Sequence, residues 1–316
     1  MKGYLGIDVG SVSTNLALIN DNLEVEEKIY LRTNGQPIGA IQEGLDALKE
    51  KLEVKIKGVG TTGSARKLAG VIVGADAVKN EITAHAVAAS TVVPEVKTIL
   101  EIGGQDSKIT ILRDGIVKDF AMNTVCAAGT GSFLDPQARR LDIPIKEFGK
   151  LALEAEDPVR IAGRCSVFAE SDMIHKQQLG HKLENIIAGL CRAMVRNYLN
   201  NVGQGKEILP PVVFQGGVAA NEGIKKAFEN ELGLKVEVPK YHDVMGAIGA
   251  GILAREAAKE KCATAFKGFD ISDFEYEISS FECGDCSNRC EIINVKKEKE
   301  VIARWGAKCP KWEEVS

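Results

Sequence analysis

Two short apolar runs in this chain each end in a polar, glycine-bearing turn and then double back, about 95 residues apart. The first runs from Tyr4 to Asp8, passes through Asp8-Val9-Gly10-Ser11, and resumes from Asn15 to Ile19 after Ser13 and Thr14. The second runs from Thr98 to Ile102, passes through Gly103-Gly104-Gln105-Asp106, and resumes from Lys108 to Leu112. Each reads as a β-hairpin with a polar tip. Their recurrence predicts an internal duplication, and 316 residues is the length of about two domains.

The rest of the chain supplies helices and further strands around these hairpins. Ile41, Leu45, Leu48 and Leu52 give Ile38 to Leu52 a helical period. Ile56 to Val59 reads as a strand entering Gly60-Thr61-Thr62-Gly63, and Glu81 to Ser90 as a helix. Helices are predicted to open at Cys126, before Ala-Ala-Gly-Thr-Gly-Ser-Phe, and at Cys165, before Ser-Val-Phe-Ala-Glu-Ser. Ile187, Leu190, Met194 and Tyr198 mark an amphipathic helix over 186–198. Pro211 to Phe214 is a predicted strand leading into Gln215-Gly216-Gly217-Val218-Ala219-Ala220-Asn221. Val236 to Val238 is another strand, and 243–257 a helix rich in small residues. The pattern is α/β. After about Cys262 the composition turns β-prone, charged and cysteine-rich, which predicts an appended module at 268–316.

Composition excludes some function classes. Forty Lys and Arg against forty-four Asp and Glu give a net charge of −4, whereas a general nucleic-acid binder carries a basic excess. No run approaches the 18 apolar residues of a membrane-spanning helix. The first residues lack a signal-peptide layout, so the expected location is cytoplasmic, with no membrane partner. Eight cysteines in such a compartment point to metal or redox work rather than to disulfides.

The two hairpin tips suit phosphate. Glycines let backbone N–H groups approach a phosphate chain closely, and two such tips can clamp it from opposite sides. A carboxylate at each tip, Asp8 and Asp106, can hold Mg²⁺ directly or through water. A strand followed by Gly216-Gly217 and a helix can present its backbone to a nucleoside.

The cysteines fall into different settings. None occurs before Cys126. Cys126 and Cys165 sit at predicted helix starts, where unpaired N–H groups and partial positive charge favour thiolate ligation and suit an anionic iron–sulfur cluster, although by residue type alone each also reads as a small buried hydrophobe. Two cysteines are too few for an ordinary 4Fe–4S cluster, but a two-fold dimer would supply four. Cys191, on an amphipathic helix, reads as core and Cys262 as an ordinary thiol. Glu81 and His85, one helical turn apart, read as a surface pair or a contact between the halves, while His175 and His181 read as a solvated face. Cys283, Cys286, Cys290 and Cys309 place four thiols in 27 residues around a predicted hairpin over 291–305. That layout suits zinc or a second iron–sulfur cluster, and the spacing does not separate the two.

The order of these motifs resembles the ATPase superfamily of actin, hexokinase and the heat-shock chaperones, with its duplicated ribonuclease-H-like halves. Asp8, Gly10, Ser11, Ser13 and Thr14 match its first phosphate loop, and Gly103, Gly104, Gln105 and Asp106 its second. Gly216, Gly217, Ala219 and Asn221 match its adenosine loop. Gly246, with Gly249 and Ala250, matches the small-residue helix through which its halves touch. The resemblance implies ATP or ADP with Mg²⁺, and a role for Gln105 in positioning the attacking water. It places the halves at 1–97 with 240–262 and at 98–239.

Val125-Cys126-Ala-Ala-Gly-Thr-Gly-Ser-Phe133 and Gly163-Arg164-Cys165-Ser-Val-Phe-Ala-Glu-Ser-Asp-Met-Ile-His175 resemble a narrower family. These are the reductive activators of 2-hydroxyacyl-CoA dehydratases, which also include the ATPase subunits of benzoyl-CoA reductase and the reductases of double-cubane cluster proteins. The resemblance covers about residues 3–258. It implies a homodimer that shares one 4Fe–4S cluster, each chain giving Cys126 and Cys165. It implies ATP-driven, low-potential electron transfer to a partner iron–sulfur dehydratase or reductase, with ferredoxin or flavodoxin as donor. The shortest activators lack a cysteine-rich tail such as 268–316, which leans the partner toward a double-cubane cluster protein. Two other classes fit the fold alone: a small-molecule kinase, and a nucleotide-gated scaffold with structural zinc. Against a kinase, no segment looks like a base for a substrate hydroxyl, and Cys126 and Cys165 would have no role.

Overall fold

A computed structural model describes residues 2–51, 53–123 and 126–312. Leu52, which closes the predicted helical face, and Val125, which precedes Cys126 in its motif, lie outside the described residues. Contacts divide the chain into two compact units, Met1–Glu81 with Gly246–Ser316, and Ile82–Met245.

In the first unit, β1 (Lys2–Val9) and β2 (Ser13–Ile19) form the predicted hairpin, with Asp8 opposite Asn15. β3 (Val25–Arg32) pairs antiparallel with β2. Helix α1 (Pro37–Lys51) leads to β4 (Lys55–Thr62), which lies parallel to β1 on its other side. Helix α2 (Arg66–Val73) and the short β5 (Ala77–Val78) complete a sheet of order β3-β2-β1-β4-β5. Every residue of β1 after Lys2 is buried, as an unbroken apolar run requires of a central strand covered on both faces.

The second unit repeats this plan. Helix α3 (Glu81–Val92) precedes β6 (Thr98–Ile102), β7 (Ser107–Arg113) and β8 (Ile116–Met122). Four helices follow: α4 (Gly131–Arg140), α5 (Ile145–Leu153), α6 (Ser166–Gln178) and α7 (Leu183–Tyr198). Then come β9 (Val212–Gln215), α8 (Glu222–Leu232) and β10 (Val236–Glu237). The sheet order is β8-β7-β6-β9-β10, the first unit's order with the same strand directions. Between the third and fourth strands the first unit has one helix and the second has four, and both isolated cysteines fall in that insertion.

The second unit's core forms around α7. Tyr198 and Phe214 meet the Phe228 ring edge-on at 5.2 and 5.1 Å. Cys191 is part of this core, and burial pushes its thiol pKa up to about 12, which makes it inert. His175 and His181 are exposed.

The chain returns to the first unit through α9 (Met245–Ala258). A Cβ on Gly6 would collide with the carbonyl oxygen of Ala247, and one on Gly60 with that of Ala250. The small residues of α9 are thus needed to bring its backbone against β1 and β4. Beyond it, β11 (Tyr276–Glu282), β12 (Glu291–Lys297) and β13 (Glu300–Trp305) form a three-stranded antiparallel sheet that includes the predicted hairpin. Glu298 and Lys299 take positive φ at its two-residue turn, as tight hairpins require. Ile271, Val295 and Ala303 join the first unit's core, and Gln42 Nε2 donates to the carbonyls of Ile271 and Phe274. The cysteine-rich sheet is therefore seated on the first unit. Among the described residues, no helix is long and apolar enough to cross a membrane.

Candidate nucleotide and cysteine sites

The tip of the first hairpin is closed by Gly10 N donating to Ser13 O at 2.9 Å. Thr33 holds it from the side, with Oγ1 donating to Gly10 O at 2.9 Å and standing 3.0 Å from Thr14 Oγ1. Asp8 is paired across the sheet with Asn15 on β2 and Thr62 on β4, so all three side chains share one face. All three are buried, and Asn15 Oδ1 and Thr62 Oγ1 have no hydrogen-bond partner. A buried polar atom left alone costs about 1–3 kcal/mol. Two orphaned oxygens flanking a carboxylate form an all-oxygen donor set that fits Mg²⁺ or its water shell. Gly63, at φ 88°, lies against the Asp8 carboxylate, where a Cβ would come within 2.5 Å of Oδ1. Ser11 is exposed at the tip.

The second tip is closed the same way, by Gly103 N donating to Asp106 O at 2.8 Å. Gln105 and Asp106 are exposed on it. The duplication identifies a residue set that sequence reasoning missed. Two positions before the tip glycine, where the first unit has Asp8, the second has Glu101. Its cross-strand neighbours are Lys108 and Gln215, in the places of Asn15 and Thr62. Gly216, at φ 94°, follows Gln215 as Gly63 follows Thr62. Here the carboxylate is satisfied from within the unit. Lys108 Nζ lies 3.1 Å from Glu101 Oε1, and His85 Nδ1 lies 3.2 Å from Oε2 and 2.6 Å from Gln215 Nε2. All four side chains are buried. Burial opposes the charge on Glu101, but His85, Lys108 and Gln215 outweigh it and hold its pKa below the usual carboxylate value. A lysine thus supplies positive charge to this carboxylate from within the unit. The sequence signal was available, because Glu101 and Lys108 are charged residues next to the apolar runs of β6 and β7.

After β9, Gly216 N donates to His242 O at 2.8 Å, and a single 3₁₀ turn spans Gly217–Ala220. Asn221 then caps α8, its Oδ1 accepting from Ile224 N at 3.0 Å, while its buried Nδ2 has no partner. A cavity of about 460 Å³ opens beside this turn, lined by Ala219, Ala220, Lys225, Val238 and His242. Gly246 is buried at the start of α9.

Cys126 does not open an α-helix, contrary to the sequence expectation. It caps a 3₁₀ turn over Ala127–Gly129, and α4 begins at Gly131 after an extended Thr130. Thr130 closes the turn, its N and Oγ1 donating to Ala127 O at 3.0 and 2.7 Å, and Gly129 packs close to Asn197. Cys165 does cap α6, as expected. The structure brings the two cysteine segments together. Cys126 Sγ lies 3.9 Å from Arg164 O, and Asn197 Nδ2 bridges them, at 2.7 Å from Gly163 O, 3.4 Å from Arg164 O and 3.9 Å from Cys126 Sγ. Ala128 N also points at Cys126 Sγ, at 3.5 Å. N–H groups aimed at sulfur suit a thiolate-ligated cluster.

The tail cysteines are less gathered. The backbones of Cys283 and Cys290 pair at 2.8 Å, and Trp312 Nε1 donates to Cys283 Sγ at 3.3 Å. Cys283 is buried, whereas Cys286 and Cys309 are exposed. Among the described residues, no three tail sulfurs lie within 4.8 Å of one another.

Residues 5–254 match the model of the BadF/BadG/BcrA/BcrD ATPase family. The chain belongs to this family. Over 263 residues the ATPase is 35% identical to the (R)-2-hydroxyglutaryl-CoA dehydratase activating ATPase of Acidaminococcus fermentans, covering 81% of this chain and 98% of that one. The activator of the 2-hydroxyisocaproyl-CoA dehydratase from Clostridium difficile, solved with bound ADPNP, is 30% identical with a TM-score of 0.74. That match covers 82% of this ATPase and 96% of the activator. The ethanolamine utilization protein EutJ from Carboxydothermus hydrogenoformans, 16% identical at a TM-score of 0.54 over 79% of this chain and 89% of that one, shares the fold alone. That is the actin and hexokinase ATPase fold that the resemblance of the ordered motifs implied. The family match ends before the cysteine-rich sheet.

Proposed function

We propose that this ATPase is an ATP-dependent, low-potential electron donor that activates an iron–sulfur dehydratase or reductase acting on an acyl-CoA. The single observation that carries the reading is the meeting of the Cys126 and Arg164-Cys165 segments in the same unit as the Gly103–Ser107 tip. Relatives named as activators of 2-hydroxyglutaryl-CoA and 2-hydroxyisocaproyl-CoA dehydratases support the partner class. A cytoplasmic setting and a ferredoxin or flavodoxin as upstream donor complete the reading.

In the first unit, Asp8 holds Mg²⁺, with the orphaned oxygens of Asn15 and Thr62 beside it, and Gly10, Ser11, Ser13 and Thr14 take phosphate. In the second, Gly103, Gly104 and Asp106 take the matching role, and Gln105 orients the attacking water. Gly216, Gly217, Ala219 and Asn221 hold the nucleoside, and the partnerless Asn221 Nδ2 fits a nucleoside acceptor. Gly246 lets α9 approach β1. Cys126 and Cys165 ligate a 4Fe–4S cluster, which supplies one-electron transfer. Two ligands per chain call for a homodimer. Val167 and Phe168, 67% and 66% exposed beside Cys165, offer the apolar surface that a second copy would cover. Cys283, Cys286, Cys290 and Cys309 are proposed as a second metal site, for zinc or another iron–sulfur cluster. Its support is the return of Trp312 onto Cys283, and Cys286 and Cys309 must turn inward to complete it.

Iron, acid-labile sulfide and zinc per chain after anaerobic purification test this reading. About two iron per chain fits one shared 4Fe–4S cluster, and about six adds a second cluster in the tail. Iron-free protein even after reconstitution would refute it. Asp8→Asn should lower Mg-ATP hydrolysis by at least about a hundredfold while leaving the iron in place.

A further inference from the structure

The duplicated fold supplies its own control for the second hairpin tip. In each unit the residue after the third strand ties the tip down. In the first unit this is Thr33, whose N donates to Val12 O and whose Oγ1 donates to Gly10 O, both at 2.9 Å. In the second unit it is Asn123. Its N donates to Ser107 O at 3.0 Å, its Oδ1 accepts from Ser107 N at 2.7 Å, and its Nδ2 donates to Gln105 O at 3.3 Å. The two ties differ in their targets: Thr33 holds the carbonyls of Gly10 and Val12, whereas Asn123 holds Ser107 and the Gln105 carbonyl. The amide of Asn123 does something more, because Nδ2 also donates to the carbonyl of Cys126 at 3.2 Å.

The tip is attached to the same stretch of chain a second time, beyond Cys126. Gly103 O accepts from Gly131 N at 2.9 Å, and Gly104 O accepts from Ser132 N at 2.7 Å and Ser132 Oγ at 2.6 Å. Cys126 is thus flanked on both sides by attachments to one loop, and a displacement of that loop acts on the cysteine from both sides.

We propose that Asn123 is a positioning residue that transmits the state of the Gly103–Ser107 tip to Cys126, and so couples nucleotide binding to the cysteine that ligates the cluster. The cluster and the nucleotide belong to the function proposed above; the link itself rests on these hydrogen bonds. Only a carboxamide serves here, with an acceptor for Ser107 N–H and two amide hydrogens for the carbonyls of Gln105 and Cys126. An aspartate would set a charged oxygen against both carbonyls. A nucleotide shifts Cys126 only through its different affinity for two arrangements of the tip, so loss of the strap reduces the coupling rather than the binding.

The test is hydrogen exchange over residues 126–132 of the full-length, anaerobically purified protein, with and without a non-hydrolysable ATP analogue and Mg²⁺. Wild type should show a nucleotide-dependent difference there. Asn123→Thr keeps the backbone bond to Ser107 O and drops the amide's reach to Gln105 and Cys126. It should cut that difference by about fivefold or more, with the analogue's Kd within about threefold of wild type. Asn123→Asp should abolish the difference. Ser132→Ala, which keeps the Ser132 N–H bond, should reduce it in part and serves if the Asn123 variants fold poorly. An undiminished difference in Asn123→Thr, or none in wild type, overturns the proposal. Iron measured on the same samples separates the two readings. Iron-free wild type with the exchange difference refutes the cluster and leaves the strap standing, and iron-loaded Asn123→Thr with a full difference does the reverse.

Discussion

The buried charges behind the second tip give the sharpest stability prediction. Lys108→Met removes the ammonium 3.1 Å from Glu101 and fills its space with an apolar chain of similar length. The side chains of Glu101 and Lys108 are 7% and 5% exposed, so water cannot replace the lost partner. Breaking a buried ion pair from one side costs about 3–5 kcal/mol, because the remaining charge is stranded. His85 and Gln215 still face Glu101, which places the expectation near the lower end, about 3 kcal/mol. For a domain of this size that is a fall in Tm of about 6–12 °C, read by calorimetry. Glu101→Gln combined with Lys108→Met removes both charges and should recover at least half of the loss. Lys206→Met, which breaks the pair with the exposed Asp119, should cost far less than Lys108→Met, because water replaces the lost partner. If Lys108→Met costs no more than Lys206→Met, the argument from desolvation is wrong. The sign with pH follows from the lowered pKa of Glu101. Its contribution is fully present above its ordinary value of 4.5, and it is lost as the pH falls below that and through the folded-state pKa.

Other expectations are simpler. Gly60→Ala should cost about 2–3 kcal/mol in urea unfolding, because the new methyl meets the Ala250 carbonyl, whereas Gly284→Ala, with nothing within 4 Å, should be near neutral. Asn197→Leu removes an N–H aimed at Cys126 Sγ. A redox titration should find the proposed cluster's potential more negative by about 40 mV, the one-electron equivalent of about 1 kcal/mol, and an unchanged or higher potential would count against that N–H.

Much of the fold was legible because its signals are local. The hairpins at Asp8 and Gly103 announce themselves through apolar strands broken by glycine and polar tips, and the strand into Gly216-Gly217 does so through the same chemistry. The helix expected at Cys126 is broken by extended Thr130, which turns back onto Ala127 O, so α4 begins only at Gly131. Asp106 was readable as a tip carboxylate, and the structure leaves it exposed there. The residue that holds Asp8's place in the second unit is Glu101, and strand pairing brings Lys108 and Gln215 to its sides.

By itself, the sequence determined the duplicated α/β plan, the glycine-bearing tips and the two cysteine motifs, because turn chemistry and apolar period act over a few neighbouring residues. Only the tertiary structure decided which residues share a site. Asn15 and Thr62 flank Asp8, Lys108 and Gln215 flank Glu101, and Asn123 reaches both the second tip and Cys126. These groups are set by the register between strands and by how a loop folds over them. Both depend on the cooperative burial of a whole core, which no short window of sequence contains.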